Sequence, residues 1–169
     1  MQKEVQVTVV GKVFRANRLK VLALNRALGE YFRLVKWYLG FNSKSKNFLH
    51  TNGYEEAKSL FDLNTALIQT ARDKAVEVLK SFDKRKNKDS FLRLKHLSIR
   101  FDKRCYSFSK TTNILTPYWL TLSLNKRERI SLPIVFGERQ KQRIEARART
   151  SMNPTLSSCH GSFKARWKL

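Results

Sequence analysis

The sequence predicts an α+β fold in which a small antiparallel β-barrel carries an inserted bundle of about three helices. Two observations predict it. Apolar and polar residues alternate near the start of the chain and again after residue 96, which is typical of strands. Between these stretches, apolar residues recur every three or four positions, which is typical of helices. Because a lone strand is unstable, we expect the first strand to pair with the later ones and the helices to form an insertion.

The first strand is predicted over residues 4–14, where three valines share one face. The first helix is predicted from Asn17, a favourable N-cap residue, to Leu39, with Gly40 as its stop signal. Its apolar stripe consists of Val21, Leu24, Leu28, Tyr31, Phe32, Val35 and Leu39.

Two further helices are predicted in the insertion. A short one begins near Tyr54, and a longer one occupies residues 63–82, where Ala71 and Ala75 allow a partner helix to approach closely. After Phe82 the run DKRKNKD has no apolar period, so we interpret it as a linker or an exposed turn.

Four short strands are predicted in the second half of the chain, because alternation resumes there between short turns. They begin near Leu97, Tyr106, Leu120 and Ile130. The resulting domain boundaries are residues 4–16 and 96–135 for the barrel, 17–95 for the helical insertion, 136–150 for a basic connector helix, and 151–169 for a disordered tail.

Charge is the strongest functional signal. The chain has 35 Lys+Arg against 13 Asp+Glu, a net charge of +22 in 169 residues. Such an excess destabilises a compact chain unless an anionic partner neutralises it, and nucleic-acid phosphate is the commonest such partner. Because 41% of the residues are apolar and 11% are aromatic, the chain does not have the composition of a disordered basic tail.

The sequence argues against several other classes. No apolar run approaches the ~20 residues that span a bilayer, and the alternating N-terminus has no apolar signal-peptide core. We therefore expect a cytoplasmic protein without a membrane partner. Cys105 and Cys159 belong to no C-x-x-C pair, so each is interpreted as a buried or incidental thiol, and neither a metal nor a cofactor is predicted.

Residues 98–145, SIRFDKRCYSFSKTTNILTPYWLTLSLNKRERISLPIVFGERQKQRIE, resemble the β-rich wedge segment of TnpB-family proteins, the RNA-guided nucleases that insertion sequences encode. Residues 63–82, LNTALIQTARDKAVEVLKSF, are similar to the family's recognition-lobe helix. The resemblance covers roughly residues 4–148. It implies an OB-like wedge barrel with an inserted recognition lobe, and a role in holding the guide RNA and the guide–target duplex.

The family's catalytic parts lie beyond the matching region. They are a RuvC-like domain with three metal-binding acidic residues and a zinc ribbon. Because the chain ends before either begins, we expect a truncated product without nuclease activity, which self-associates through the surface left by the missing domain. The aspartates stand among basic residues, where we expect surface ion pairs; they are Asp62, Asp73, Asp83, Asp89 and Asp102.

The candidate binding residues form three basic groups whose cations would neutralise phosphates. The first is Lys12, Arg15 and Arg18; the second is Lys84, Arg85, Lys86, Lys88, Arg93, Lys95, Arg100, Lys103 and Arg104; the third is Arg139, Arg143 and Arg147. Exposed rings near them could stack on bases, although core packing is favoured for Phe101, Trp37 and Tyr38. No motif in the sequence indicates recognition of particular bases. We therefore expect recognition of the nucleic-acid backbone and shape, with RNA favoured and DNA as the alternative.

Two other functions remain open at this stage. The chain could be a basic structural or assembly protein that binds structured RNA, or a decayed open reading frame without activity. For each basic group, the alternative to nucleic-acid binding is a solvated surface.

Overall fold

The structure, a computed structural model, describes residues 10–84, 92, 94, 98–150 and 163–165, and these form the predicted α+β fold. The helices are α1 (Arg18–Gly40), α2 (Lys46–Leu60), α3 (Thr65–Asp83) and α4 (Glu138–Thr150), with a 3-10 turn at Lys103–Cys105. The strands are β1 (Lys12–Val13), β2 (Ile99–Phe101), β3 (Tyr106–Lys110), β4 (Tyr118–Ser123), β5 (Arg129–Val135) and β6 (Phe163–Ala165). Three helices lie between β1 and β2, and the fourth follows β5.

Side-chain caps begin the three inserted helices. Asn17 Oδ1 accepts a hydrogen bond from the Leu19 N–H at 3.0 Å, which confirms the predicted N-cap of α1. Ser45 and Asn64 cap α2 and α3 in the same way. Each cap supplies an acceptor for an N–H group that has no partner inside its helix. α1 ends at Gly40, the predicted stop.

The predicted stripe of α1 is confirmed in part. Its buried residues are Ala23, Leu24, Ala27, Leu28, Tyr31, Leu34, Val35 and Tyr38. Val21, which the pattern placed on this stripe, is exposed instead. Ala71 and Ala75 of α3 are completely buried, in keeping with the close helix approach that their small size permits. These residues belong to one continuous core that also includes the sheet.

The main sheet is open, so the prediction of a closed barrel is wrong. Its four antiparallel strands have the order β1-β5-β4-β3, with β1 and β3 as the two edges. The predicted pairing of the first strand with later ones is confirmed, because Lys12 lies opposite Val135 and Val13 opposite Ile134. Of the strand predicted over residues 4–14, the described part forms only β1, and residues 4–9 lie outside the described residues. Closure requires strands long enough to tilt and stagger around an axis, and β1 has only two residues.

Alternation along β4 and β5 separates the two faces of this sheet. The buried face carries Tyr118, Leu120, Leu122, Ile130, Leu132 and Ile134. The opposite face carries Trp119, Thr121, Ser123, Arg129, Ser131, Pro133 and Val135. Thr121 and Ser131 share a hydrogen bond of 2.8 Å across it. This is the period-2 pattern that the sequence predicted.

A second, two-stranded sheet joins distant parts of the chain. β2 pairs antiparallel with β6, so residues 163–165 are a strand where the sequence predicted a disordered tail. Periodicity cannot detect a three-residue strand whose pairing depends on a segment about sixty residues earlier. Next to β2, Cys105 is buried, and desolvation raises the pKa of its thiol to about 11. Cys159 lies outside the described residues.

Candidate nucleic-acid interface

The first candidate group lies where the edge strand β1 leads into α1. Phe14 continues the pairing of β1, because its N–H donates to the Pro133 carbonyl at 2.9 Å. Arg15 then adopts a left-handed backbone with a φ of 41°. This conformation costs a non-glycine residue roughly 1–2 kcal/mol, so the surrounding structure must hold it. Asn17 then caps α1, and Arg18 is its first residue.

Lys12, Arg15 and Arg18, which we call the junction cations, are exposed. Among the described residues, no carboxylate lies within ion-pair distance of any of them. The sequence explains this, because residues 10–29 contain five Lys or Arg residues and no Asp or Glu. Their positive charge is therefore not offset locally.

Lys20 ties the same junction to the sheet. Its side chain is partly buried, and Nζ donates to the Ser131 carbonyl at 2.6 Å. The ammonium also lies 5.9 Å from the centroid of the Trp119 ring, within the range of a cation–π contact. Together with the β1–β5 pairing, this contact fixes the start of α1, so the junction cations project from an ordered backbone.

Exposed apolar side chains accompany the junction cations, and the sequence analysis missed them. Val10, Phe14, Leu19 and Leu22 are 67%, 40%, 72% and 54% exposed. The Arg15 guanidinium lies 5.3 Å from the centroid of the Phe14 ring. The sequence did contain a sign of this exposure, because Leu19 and Leu22 do not belong to the apolar stripe predicted for α1. Exposed rings and aliphatic groups beside cations suit contact with unpaired bases.

Most of the second group lies outside the residues that the structure describes. Arg85, Lys86, Lys88, Arg93 and Lys95 lie outside the described residues, as do Phe91 and Asp89. Lys84 is exposed just after α3, and Lys103 is exposed in the 3-10 turn. In the part of the chain that the structure describes, neither lysine has an ion-pair partner.

Arg100 and Arg104, from the same group, are engaged with carboxylates. Arg100 Nη1 donates to Glu77 Oε1 at 2.7 Å, and Arg104 Nη2 donates to Asp102 Oδ2 at 2.9 Å. Partial burial of Glu77 opposes its ionisation, but the hydrogen bond and charge of Arg100 hold its pKa below the ordinary value. The hydrogen bond from Arg104 likewise lowers the pKa of Asp102. These two arginines are therefore paired with carboxylates of the fold, unlike the junction cations.

The third group lies on α4. Arg139 and Arg143 are exposed, and no carboxylate of the described residues pairs with them. Arg147 follows one turn later on the same helix. Like charges four residues apart disfavour an isolated helix, and a phosphate strand would remove that repulsion.

Glu145 anchors α4 to the sheet. Its Oε1 accepts hydrogen bonds from Lys110 Nζ at 3.1 Å and from the Tyr118 hydroxyl at 3.4 Å. The hydrogen bond from Lys110 to Glu145 raises the pKa of the lysine. Ile144 adds a partly buried apolar contact. These contacts give α4 the support that its polar sequence lacks.

The predicted aspartates that the structure describes are engaged by groups other than the junction cations. As predicted, Asp73, Asp83 and Asp102 form ion pairs with Lys or Arg. Asp62 instead accepts a hydrogen bond from Asn125 at 3.1 Å, and with Glu30 it helps to line a cavity of about 50 Å³ beside α1. In the described part of the chain, no group of three His, Cys, Asp or Glu residues is placed to hold a metal ion.

The aromatic side chains near the predicted sites are mostly structural. Tyr38 and Phe101 are completely buried, which confirms the prediction of core packing for both. Burial raises the pKa of Tyr38 to about 12. Trp37 packs edge-on against Tyr38 and Phe41, with ring centroids 5.0 and 4.8 Å apart. Tyr38 and Phe101 are therefore not free to stack on a base, whereas Trp37 is half-buried and packed against the core.

Comparison with known proteins finds no matching family model and no significantly similar curated protein. No helix within the described residues is long and apolar enough to cross a bilayer. The functional argument therefore depends on the geometry and charge of the basic groups.

Proposed function

We propose that this protein binds nucleic acid through the phosphate backbone, with RNA as the favoured ligand, and that the junction cations form the centre of the interface. We further propose that it acts as the non-catalytic, nucleic-acid-holding part of a TnpB-like transposon protein. One observation carries the binding proposal: Lys12, Arg15 and Arg18 are exposed on an ordered strand–helix junction without a carboxylate partner among the described residues.

The distinction between paired and unpaired cations matters energetically. A lysine that already contacts a carboxylate must weaken that contact before it neutralises a phosphate. An unpaired cation does not, and each phosphate that it neutralises releases condensed counterions. Phe14 and Leu19, exposed beside the junction cations, add apolar surface for bases that leave the stack.

The test is a charge-matched comparison of two triple variants. K12Q/R15Q/R18Q removes the junction cations. K44Q/K46Q/K58Q removes the same charge from lysines that pair with Asp83, Asp73 and Glu55. Fluorescence anisotropy against a structured RNA and a DNA duplex of equal length, at several salt concentrations, gives the dissociation constant and its salt dependence.

We expect the junction variant to bind at least about tenfold more weakly. The slope of log K against log salt should become shallower by about 0.7–0.9 for each lost phosphate contact. The control variant should stay within about threefold of the wild type. Equal weakening by both variants would contradict a localised interface, and a wild-type slope near zero would contradict backbone binding altogether.

The transposon role needs a separate test, because many RNA-binding proteins share a basic surface. Crosslinking the full chain in its host and sequencing the bound RNA identifies the ligand. RNA from the end of the encoding element supports the TnpB-like role. Enrichment of unrelated structured RNA would overturn that role and indicate an assembly protein instead.

A further inference from the structure

The β3–β4 hairpin presents two apolar side chains at its tip. Ile114 is 94% exposed and Leu115 is 82% exposed, more than any other large apolar side chain in the described residues. They lie in the loop between Lys110 and Tyr118, the paired residues that end the two strands. Single exposed aliphatic residues are ordinary, but two adjacent ones at the end of a projecting hairpin indicate a contact.

The tip is held in shape by its own hydrogen bonds. Asn113 Oδ1 accepts from the Leu115 N–H at 2.9 Å and from the Thr116 N–H at 3.3 Å. The Thr111 N–H donates to the Pro117 carbonyl at 2.7 Å and closes the neck of the loop. These hydrogen bonds preorganise the loop that carries the two apolar side chains, which lowers the conformational entropy lost on binding.

We propose that Ile114 and Leu115 form a wedge that inserts between stacked bases of a paired nucleic acid. The proposal rests on the proposed function, since the cations bring the nucleic acid to the protein. Aliphatic side chains are known to enter base steps and partly unstack them. Residues 103–127, which include the hairpin, contain five Lys or Arg residues and no Asp or Glu. The Glu145 carboxylate reaches the neck of the hairpin, where Lys110 pairs with it at 3.1 Å.

Two other partners fit the tip less well. A stable protein interface buries about 1,200 Å² or more, and two side chains on a narrow loop supply a small part of that. Membrane-binding elements combine apolar residues with aromatic and basic ones. The residues on either side of the two apolar side chains are Thr111, Thr112, Asn113 and Thr116. The nearby Trp119 ring is half-buried and its Nε1 donates to the Thr116 carbonyl at 3.0 Å, so it is not free to enter a bilayer. A base step, by contrast, needs only one or two aliphatic side chains.

The experiment uses 2-aminopurine, whose fluorescence rises when it leaves the stack. It is placed inside a DNA duplex and inside an RNA–DNA hybrid, so the two arms identify the preferred helix. I114S/L115S removes the wedge without changing charge. L60S is the matched control, because Leu60 is 59% exposed at the end of α2. I114V/L115I keeps an aliphatic tip.

We expect the wild type, L60S and I114V/L115I to raise the fluorescence of at least one helix about threefold or more. I114S/L115S should leave the fluorescence unchanged, while the salt slope of its binding matches that of the wild type because the phosphate contacts remain.

If the wild type binds the helices with normal salt dependence and no fluorescence change, the wedge is refuted and backbone binding stands. If it binds neither helix, the wedge is refuted, and the RNA titration of the junction variant decides the backbone-binding proposal separately. Tip-dependent binding to anionic vesicles, without any unstacking, would also overturn the wedge.

Discussion

The helical insertion and the β1–α1 junction carry the same kind of cation in opposite surroundings. In the insertion, Lys44, Lys46 and Lys58 each contact a carboxylate of α2 or α3. At the junction, Lys12 and Arg15 have no such partner among the described residues. The helices of the insertion supply the acids, whereas the junction sequence contains none. A net charge of +22 therefore does not single out one surface, whereas the local shortage of carboxylates distinguishes the junction, and the proposed interface rests on that difference.

The largest expected effect tests whether β1 positions the junction. A Cβ at Gly11 would lie 2.5 Å from Phe136 Cε1 and 2.6 Å from Ile134 Cγ2. Because both side chains are buried, Gly11→Ala must displace β1 or repack the core, and we expect a loss of about 1–3 kcal/mol in unfolding free energy. Denaturant unfolding measures it. RNA affinity of the folded variant should fall as well, since Lys12 moves with the strand.

Gly29→Ala is the control for this substitution. A Cβ at Gly29 meets nothing within 4 Å, and the residue lies in the interior of α1. We expect it to gain about 0.5–1 kcal/mol from helix propensity. A Gly11→Ala variant as stable as the wild type would show that β1 does not pack tightly against the core.

An intermediate effect on stability is expected at Glu77, whose carboxylate pairs with Arg100. Glu77→Gln removes the carboxylate that Arg100 contacts, and we expect a loss of up to about 1 kcal/mol, since both side chains are partly exposed. The folded pKa of Glu77 is lowered, so its stabilisation is present above its ordinary pKa of 4.5 and disappears as pH falls through the folded value. Thermal unfolding between pH 7 and pH 3 should show a smaller acid destabilisation in the variant.

Glu55→Gln serves as the exposed counterpart. Glu55 contacts Lys58 at 3.3 Å, but its side chain is 79% exposed, so we expect almost no change in stability. Equal losses for Glu55→Gln and Glu77→Gln would mean that the Arg100 contact contributes no more than a surface pair.

A gain in stability is expected at Arg15, one of the junction cations. Arg15→Gly relieves the left-handed backbone at this residue, and we expect unfolding free energy to rise by up to about 1 kcal/mol while RNA binding weakens. Arg18→Gln, at the start of α1, should weaken RNA binding without raising the unfolding free energy. If Arg15→Gly is more stable but binds RNA more weakly, Arg15 contributes to binding while it lowers the stability of the fold. Lower stability of Arg15→Gly would refute the strain at this position.

The sequence predicted most parts of the fold that depend on local pattern, but α2 begins at Lys46 and not near Tyr54 as predicted. The period of three to four residues located α1 and α3 to within about two residues of their observed ends, and alternation located β4 and β5. The sequence pattern could not show whether the sheet closes into a barrel, because closure depends on strand order and on the short pairing of β1 with β5. The pairing of β2 with β6 was missed for the same reason: neither strand shows its partner in its own sequence.

The candidate site was predictable to a similar extent. Clusters of Lys and Arg are visible in the sequence, but their carboxylate partners are not always nearby. Asp102 stands two positions before Arg104, so that pair could have been suspected. Glu77 is 23 positions before Arg100, and only the packing of α3 against β2 brings them together. The exposed tip at Ile114 was hidden by an ordinary strand–turn–strand pattern.

The position of Cys105 has a consequence for the chemistry of the molecule. Alkylating agents and oxidants react with a thiolate that they can reach, and this sulfur is both enclosed by the core and held in its protonated form near neutral pH. The native protein thus keeps this cysteine inert. A modified Cys105 in a purified sample is the mark of molecules whose interior has opened.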